Sequence, residues 1–450
     1  MNTSVPPSDP AALGPHQIPD TSAAAAEGLI DSTATSVVEE PSSNEPPRVG
    51  LWFIAVYMLT YFGFNLTMLS PTLFSVAYKI QLIDPAGRDT SLGLVLGLGG
   101  IFGLVAGPVF GVLSDGTRLR WGRRRPWLLG GMVLALVGGI IVGLAPIVPI
   151  VLFGFAVMQL GIAGMSAGFN PVLAEHVPTY QRGKVGALGG AAAALAGISA
   201  YTLGSQLTGH VLLLFVLPVA VFAVGLVLFF VTVPDRPASG NERVQSVREI
   251  FASFLFNPLK YPDFAWVWLG KAMLQFGFTF FSTYQLYFML SRLGYTAEEA
   301  AGLIAIVGGL SVFATMSFAI LSGVLSDRLR RRKPFIYIAS ALIAGGLVTA
   351  AFAPDFLVFA IGGTMLAAGT GAFTSVDLAL ATDLLPEKEK AGKYMAIYYL
   401  SSSLPGTLAP LVAPAILAIG AGSNYPLLFV FGALLALGAM VTTWRIRAAR

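Results

Sequence analysis

Runs of apolar residues about 20 long, the length a helix needs to cross the hydrocarbon core, follow one another along most of this chain. The first six cover residues 51–77, 91–113, 127–145, 149–171, 184–207 and 211–233. Six more cover 264–290, 300–325, 335–353, 356–381, 392–419 and 425–444. The longest polar interruption, 234–263, contains Pro234, Asp235, Arg236, Asn241, Glu242, Arg243, Arg248 and Glu249 and divides the spans six and six. Its second part places Val244, Val247, Phe251, Phe254 and Leu255 on one side of a helix and charges on the other, the pattern of an amphipathic helix lying on a membrane surface. Residues 1–49 differ from all that follows. They hold eight prolines, seven acids and a single base, Arg48, and read as a disordered, solvated tail without the charged and apolar regions of a signal peptide. The expected architecture is an all-α membrane protein of twelve transmembrane helices: tail 1–49, six-helix bundle 50–233, linker 234–263 and second six-helix bundle 264–450.

The two sets of six are related. The pentapeptide GVLSD ends a long apolar run at Gly111–Asp115 and again at Gly323–Asp327, and each copy leads into an arginine cluster closed by a proline, Pro126 and Pro334. Pro126 and Pro334, Glu175 and Asp383, and Pro178 and Pro386 are all 208 residues apart, so the halves are internal repeats of the kind that build secondary transporters. Gly103, Gly107 and Gly111 recur every four residues, which strips one helix face of side chains and lets another helix approach. A carboxylate and arginines at the mouth of such a helix make contacts that exist in one conformation and break in another. We therefore expect a gate built from Gly111, Asp115, Arg123, Arg124, Arg125, Glu175 and Arg182 in the first half and Asp327, Arg331 and Asp383 in the second. A pure topology signal would explain the charge but not the repeat.

Composition narrows the class. With 55% apolar and 11% charged residues and a mean hydropathy of +0.76, the chain is far more apolar than soluble domains, whose charged fraction is about 25%. The formal charge of +4 is confined to short loops, so no nucleic-acid partner is implied. Of the 27 Lys and Arg, only Lys79, Arg88 and Arg292 fall on the side opposite the tail, and Lys271 falls within a span. The positive-inside rule then places both termini in the cytoplasm, the tail included, and the gate at the cytoplasmic face of the cell membrane. Zero cysteines and three scattered histidines (His16, His176, His210) give neither a disulfide nor a metal site. No HExxH, GxSxG or paired-carboxylate motif marks a catalytic centre, so neither an enzyme nor a cofactor is expected.

The Gly, Ser-Asp, Arg, Gly-Arg-Arg pattern between the second and third spans, echoed between the eighth and ninth, resembles the major facilitator superfamily over residues 50–450. That resemblance implies two pseudo-symmetric six-helix bundles working by alternating access, with the first, fourth, seventh and tenth spans lining a central cavity. More narrowly, SDGTRLRWGRRRPW (Ser114–Trp127) and FGFNLTMLSP (Phe62–Pro71) are similar to the sucrose and other disaccharide proton symporters and the wider glycoside cation symporter group. The chain departs from the plant sucrose carriers at Asn170, five residues before Glu175, where those carriers place an arginine.

A charge at the bilayer centre costs about 3 kcal/mol or more, so ionisable residues within spans point to function. Two qualify: Asp377, about six residues before the loop residue Asp383 that follows the tenth span, and Lys271, about seven residues into the seventh. At 1.5 Å rise per residue both sit roughly 10 Å from the same end. Thr370, Thr374 and Asp377 share one helical face, as do Lys271, Gln275, Thr279 and Ser282, and in the first half Gln159, Ser166 and Asn170 share a face while Asn65 lies mid-span. The functional reading makes Asp377 the proton-coupling carboxylate, paired with Lys271 in one conformation and free to exchange a proton in another. The bland reading is a static ion pair, or a lysine that snorkels to the interface. Amides and hydroxyls at Asn65, Gln159, Asn170, Gln275, Thr279, Tyr284, Gln285, Thr374 and Tyr398 form a neutral donor and acceptor set suited to a polyhydroxy solute. Interhelical hydrogen bonding competes for each of them. Tyr284 and Gln285 are adjacent and cannot both face a cavity squarely.

The function expected from these residues is proton-coupled symport of a small solute, a sugar or glycoside, by a monomer in a lipid bilayer. An efflux antiporter for drugs or metabolites is the alternative. Residues 184–209 lack the Gly-Pro-x-x-Gly-Gly run typical of superfamily antiporters, but the spans are rich in Phe and Met. A non-transporting sensor would leave the duplicated gate unexplained.

Overall fold

A computed structural model describes residues 47–120, 122–233, 256–387, 390–420 and 423–447. The residues 1–46 of the tail and nearly all of the amphipathic linker segment lie outside the described residues. Twelve long helices fill the described part: α1 Leu51–Ile83, α2 Arg88–Asp115, α3 Arg125–Leu144, α4 Val148–His176, α5 Thr179–Gln206, α6 Val211–Thr232, α7 Pro262–Arg292, α8 Ala297–Leu329, α9 Lys333–Ala351, α10 Phe356–Asp383, α11 Ala391–Leu417 and α12 Tyr425–Arg445. Eleven are long and apolar enough to cross a membrane. The twelfth, α7, is equally long at 31 residues but carries Lys271, Gln275 and a run of buried polar groups (Thr279, Ser282, Thr283, Gln285) that face protein rather than lipid.

Helix punctuation follows the local chemistry. Proline opens α7 and stands second in α3, α9 and α12, where its missing N–H is one of the unpaired donors in any case. Thr296 and Glu299 form a reciprocal capping box at the start of α8, and the Asp355 carboxylate accepts from the Val358 N–H at the start of α10. Inside α1, Pro71 brings a single wide turn: the Val76 N–H reaches back five residues to the Pro71 carbonyl.

Packing repeats the sequence symmetry pair by pair. In the first half α1 packs on α5 and α6, α2 on α4, and α3 on α4 and α6. In the second, α7 packs on α11 and α12, α8 on α10, and α9 on α10 and α12. The 208-residue offset extends to the closest approaches. A Cβ on Gly138 would lie 2.6 Å from the Gly154 carbonyl oxygen, and one on Gly346 would lie 2.5 Å from that of Gly362. Those glycines let α3 and α9 press against α4 and α10 at backbone distance. The clusters match as well. Arg124 pairs with Glu175 at 2.6 Å and Arg332 with Asp383 at 2.8 Å. Arg125 donates to the Phe230 and Val233 carbonyls at the end of α6, and Lys333 to the Ile446 carbonyl at the end of α12, cations placed where a helix terminus favours them.

The halves meet through α2 against α11 and α5 against α8, and they meet unevenly. At the end of the molecule away from the arginines, a Cβ on Gly93 or Gly97 of α2 would strike Pro410 and Pro414 or Leu411 of α11, and one on Gly100 would touch Thr407. Toward the arginine end, Gly107 and Gly111 of the same helix have nothing within 4 Å. The helices are sealed at one end and splayed at the other.

Candidate functional site

The only ion pair buried within the spans, among the described residues, joins α7 to α10. Lys271 Nζ lies 3.1 Å from Asp377 Oδ2, with the two side chains 13% and 5% exposed. Tyr398 of α11 donates its hydroxyl to the same carboxylate oxygen, and the Lys271 ammonium rests 3.6 Å from the centre of the Tyr398 ring, with Tyr399 farther off at 5.8 Å. Asp377 thus receives an ammonium and a phenol while the ammonium gains a π face, which satisfies a charge pair that hydrocarbon could not hold alone. Trp268 ties the backbone of α11 to α7 by donating to the Ile397 carbonyl at 2.8 Å, which fixes the ring of Tyr398 over the lysine.

This trio opens into a cavity of about 220 Å³ that also exposes Gln275, Thr370, Thr374 and Ser402. The two threonines donate to the Leu366 and Gly371 carbonyls of their own helix, so their oxygens remain available as acceptors. A second cavity of about 320 Å³ shares Phe278 and Thr370 with the first and lies between the halves. Leu69 and Leu73 of α1, Tyr201 of α5, Phe281 and Gln285 of α7 and Val312 of α8 line it. Its walls are largely apolar, and its main polar feature is a bridge from Gln285 Nε2 to the Tyr201 hydroxyl at 3.0 Å. Together they give a polar pocket around an ion pair, continued by an apolar one.

Of the residues singled out from sequence, Lys271, Asp377, Gln275, Thr374 and Tyr398 come together in the first cavity and Gln285 in the second. Tyr284 points elsewhere. Fully buried, its hydroxyl reaches the Asp89 carbonyl at 3.3 Å and the Pro410 carbonyl at 3.4 Å, at the sealed end. The Pro410 carbonyl needs such a donor because Pro414, four residues on, has no N–H. Thr279 is buried and lines neither cavity. In the first half Asn65 donates to the Tyr61 carbonyl of its own helix at 2.8 Å, Gln159 sits against Gly103, and the exposed Asn170 donates to Ser166 at 2.7 Å. None of these three lines either cavity.

The expected gate residues act within their own halves in this conformation. Arg123 and Arg124 pair with Asp115 at 2.7 and 2.8 Å, and Arg124 also reaches Ser114 and Glu175, clamping α2, α3 and α4 together. Arg182 donates to the Val177 and Ala174 carbonyls. Asp383 takes Arg332, while Asp327 and Arg331 are exposed and make no ion pair among the described residues. The shorter second loop, which reaches its proline seven residues after Asp327 against eleven after Asp115, leaves Asp327 without its counterpart's clamp.

At the same end, outside the spans, Glu387 receives Lys390 at 2.7 Å and the hydroxyls of Tyr261 and Tyr394 at 2.7 and 3.1 Å. The Lys390 bond first, then the two hydroxyls, bring its carboxyl down to about 2.

Comparison with known proteins agrees with the twelve-helix fold. Residues 53–320 and 300–450 match the Major Facilitator Superfamily. The chain belongs to that superfamily. It is a multi-pass membrane transporter and not an enzyme. A 53-residue segment is 55% identical to an uncharacterized symporter of Synechocystis sp., covering 12% of this chain and 10% of that one. A 97-residue segment is 34% identical to the human membrane-associated transporter protein, covering 21% and 18%. The matched segments thus span less than a fifth of either relative. Among solved structures, a D-xylose-proton symporter superposes with a TM-score of 0.65 at 19% identity over 88% of this chain and 98% of that one, a likeness of fold.

Proposed function

We propose that this transporter carries a small hydroxylated solute, a sugar or glycoside, across the cell membrane by proton-coupled symport. The observation that supports it is the Lys271–Asp377–Tyr398 trio at the edge of a polar cavity. A carboxylate held by both a cation and a phenol loses its partners together when a solute hydroxyl competes for either, and a proton then replaces the lysine as its counter-charge. Thr370, Thr374, Gln275 and Ser402 supply neutral donors and acceptors around it. The D-xylose-proton symporter shares the fold and a curated relative of one segment is named a symporter, which favours the same direction and cargo class. Positive loops put the arginine clusters and both termini in the cytoplasm, so the splayed end faces inward and the sealed end outward. The two halves, 50–233 and 264–450, are the moving bodies, and a single chain holds the whole path.

The test is accumulation in proteoliposomes against a panel of sugars and glycosides, with and without an inward proton gradient. Asp377→Asn is expected to abolish pH-driven accumulation while leaving solute counterflow in place; full accumulation by that variant sinks the coupling role. The largely apolar second cavity favours one rival, efflux of amphiphilic drugs or metabolites. Uptake of lipophilic cations with none of the sugars decides for it.

A further inference from the structure

At the sealed end, the first turn of α2 meets two elements of the other half, α7 and the start of α12. The Asp89 carboxylate takes the Tyr425 hydroxyl on Oδ1 at 2.8 Å and the Ser423 hydroxyl on Oδ2 at 2.9 Å, both from the start of α12. Its backbone carbonyl takes the Tyr284 hydroxyl of α7. Beside it, Arg88 donates to Ser291 at the end of α7 and to Gln81 of its own half at 2.7 Å, and its guanidinium lies 5.0 Å from the centre of the Tyr287 ring. Tyr287 in turn donates to the Ala77 carbonyl of α1 at 2.8 Å. Apart from the Gln285–Tyr201 bridge, the side-chain hydrogen bonds that join the halves among the described residues are all in this cluster, and no described ion pair joins them elsewhere.

We propose that Asp89 is the hub of a latch that holds this end closed and sets the balance between the two open states of the transporter. The inference rests on the alternating-access reading above. Three features make Asp89 the hub rather than one contact among several. A carboxylate has two acceptor oxygens, so it satisfies two donors of the other half at once where an amide oxygen would serve one well. The phenols it and its neighbours engage, Tyr284, Tyr287 and Tyr425, are at most 1% exposed, so their hydroxyls depend on these acceptors while the end is shut. Ser423 is held with φ +49°, a left-handed backbone that a non-glycine residue adopts only where its surroundings impose it, and the bond to Asp89 is what that backbone delivers. Opening this end separates every donor in the cluster that reaches across the halves from its acceptor, while the clamps at the arginine end, which act within each half, are untouched. Asp89 touches no part of either cavity and is a positioning residue.

The chain has no cysteine, so single reporters read each end without background. Thr407→Cys sits in the sealed seam, where Gly100 would meet it at 3.3 Å, and Gly107→Cys sits on the open face, where nothing lies within 4 Å. In purified protein the second is expected to react quickly with a water-soluble thiol reagent and the first slowly. Asp89→Asn is expected to reverse the two, raising the rate at Thr407→Cys at least tenfold and lowering that at Gly107→Cys. Asp89→Glu, which keeps both acceptors, is expected to leave both rates near the parent values. Tyr425→Phe, which removes one hydroxyl and keeps the ring, is expected to move them the same way by less, and it stands in if Asp89→Asn does not fold. Rates that rise together at both positions mean general loosening and overturn the proposal, as do rates that do not change. Labelling needs no substrate, so a protein that proves to carry no sugar still reports on the latch, and failure of the transport reading is seen separately in proteoliposomes.

Discussion

Removing both members of the Lys271–Asp377 pair should cost clearly less stability than the sum of removing each alone. At 3.1 Å and an effective dielectric of about 20, the gross attraction is roughly 5 kcal/mol, set against the desolvation of two groups that are 13% and 5% exposed. Lys271→Ala leaves a carboxylate in that site with only the Tyr398 hydroxyl as a partner, and Asp377→Ala leaves an ammonium with only the Tyr398 and Tyr399 rings. Each should cost about 3–5 kcal/mol, the usual penalty for an uncompensated buried charge. The double variant loses the attraction and the desolvation cost together. Its loss should therefore fall short of the sum of the singles by about 2 kcal/mol or more, at the upper end of couplings between residues in contact. Reversible unfolding of the detergent-purified protein, run for parent, both singles and the double, closes the cycle. Additivity within about 0.5 kcal/mol would refute the claim that the two charges hold one another in the folded state.

Two further outcomes follow from geometry. Gly138→Ala and Gly346→Ala place a methyl within 2.5 Å of facing backbone; the helices must part by about 1 Å to restore ordinary contact, so each should cost about 1–3 kcal/mol. Gly107→Ala, with open space around it, should be neutral or stabilising by up to about 1 kcal/mol, and thermal melts of all three separate close packing from mere glycine content. Glu387 carries the pH-dependent prediction. Because its carboxyl is brought down from 4.5 to about 2, its contribution is complete above pH 4.5 and is lost as pH falls toward 2. The stability difference between the parent and Glu387→Gln should therefore be constant between pH 5 and 8 and shrink below that range, and a difference that persists undiminished at about pH 2 contradicts the assignment.

Much of the site was readable because a membrane makes single residues conspicuous. Lys271 and Asp377 stood out as charges in apolar runs, helical spacing put them at similar depth, and they meet. Tyr398 reads from sequence as one of the sugar-binding candidates, whereas its hydroxyl goes to Asp377. The adjacent pair Tyr284 and Gln285 could not be resolved from spacing; the helix turns the glutamine into the cavity and the tyrosine into the sealed seam. Arg88 reads from sequence only as a charge on the outer side and Asp89 carries no signal, because a charged dipeptide at a span end has the same pattern whether it meets solvent or a partner helix.

The sequence by itself determined that the chain crosses a membrane many times, that its halves repeat at an interval of 208 residues, and that one charge pair lies within the spans. Each of these depends on the transfer cost of a residue or on matched positions along one chain, and both are local. Tertiary structure alone decided that the arginine clusters clamp within halves, that α2 meets α11 at one end and leaves it at the other, and that Asp89 finds Tyr425 across 336 residues of chain. Those contacts depend on the relative tilt and rotation of whole helices, which the summed packing of many side chains sets and no single stretch of sequence encodes.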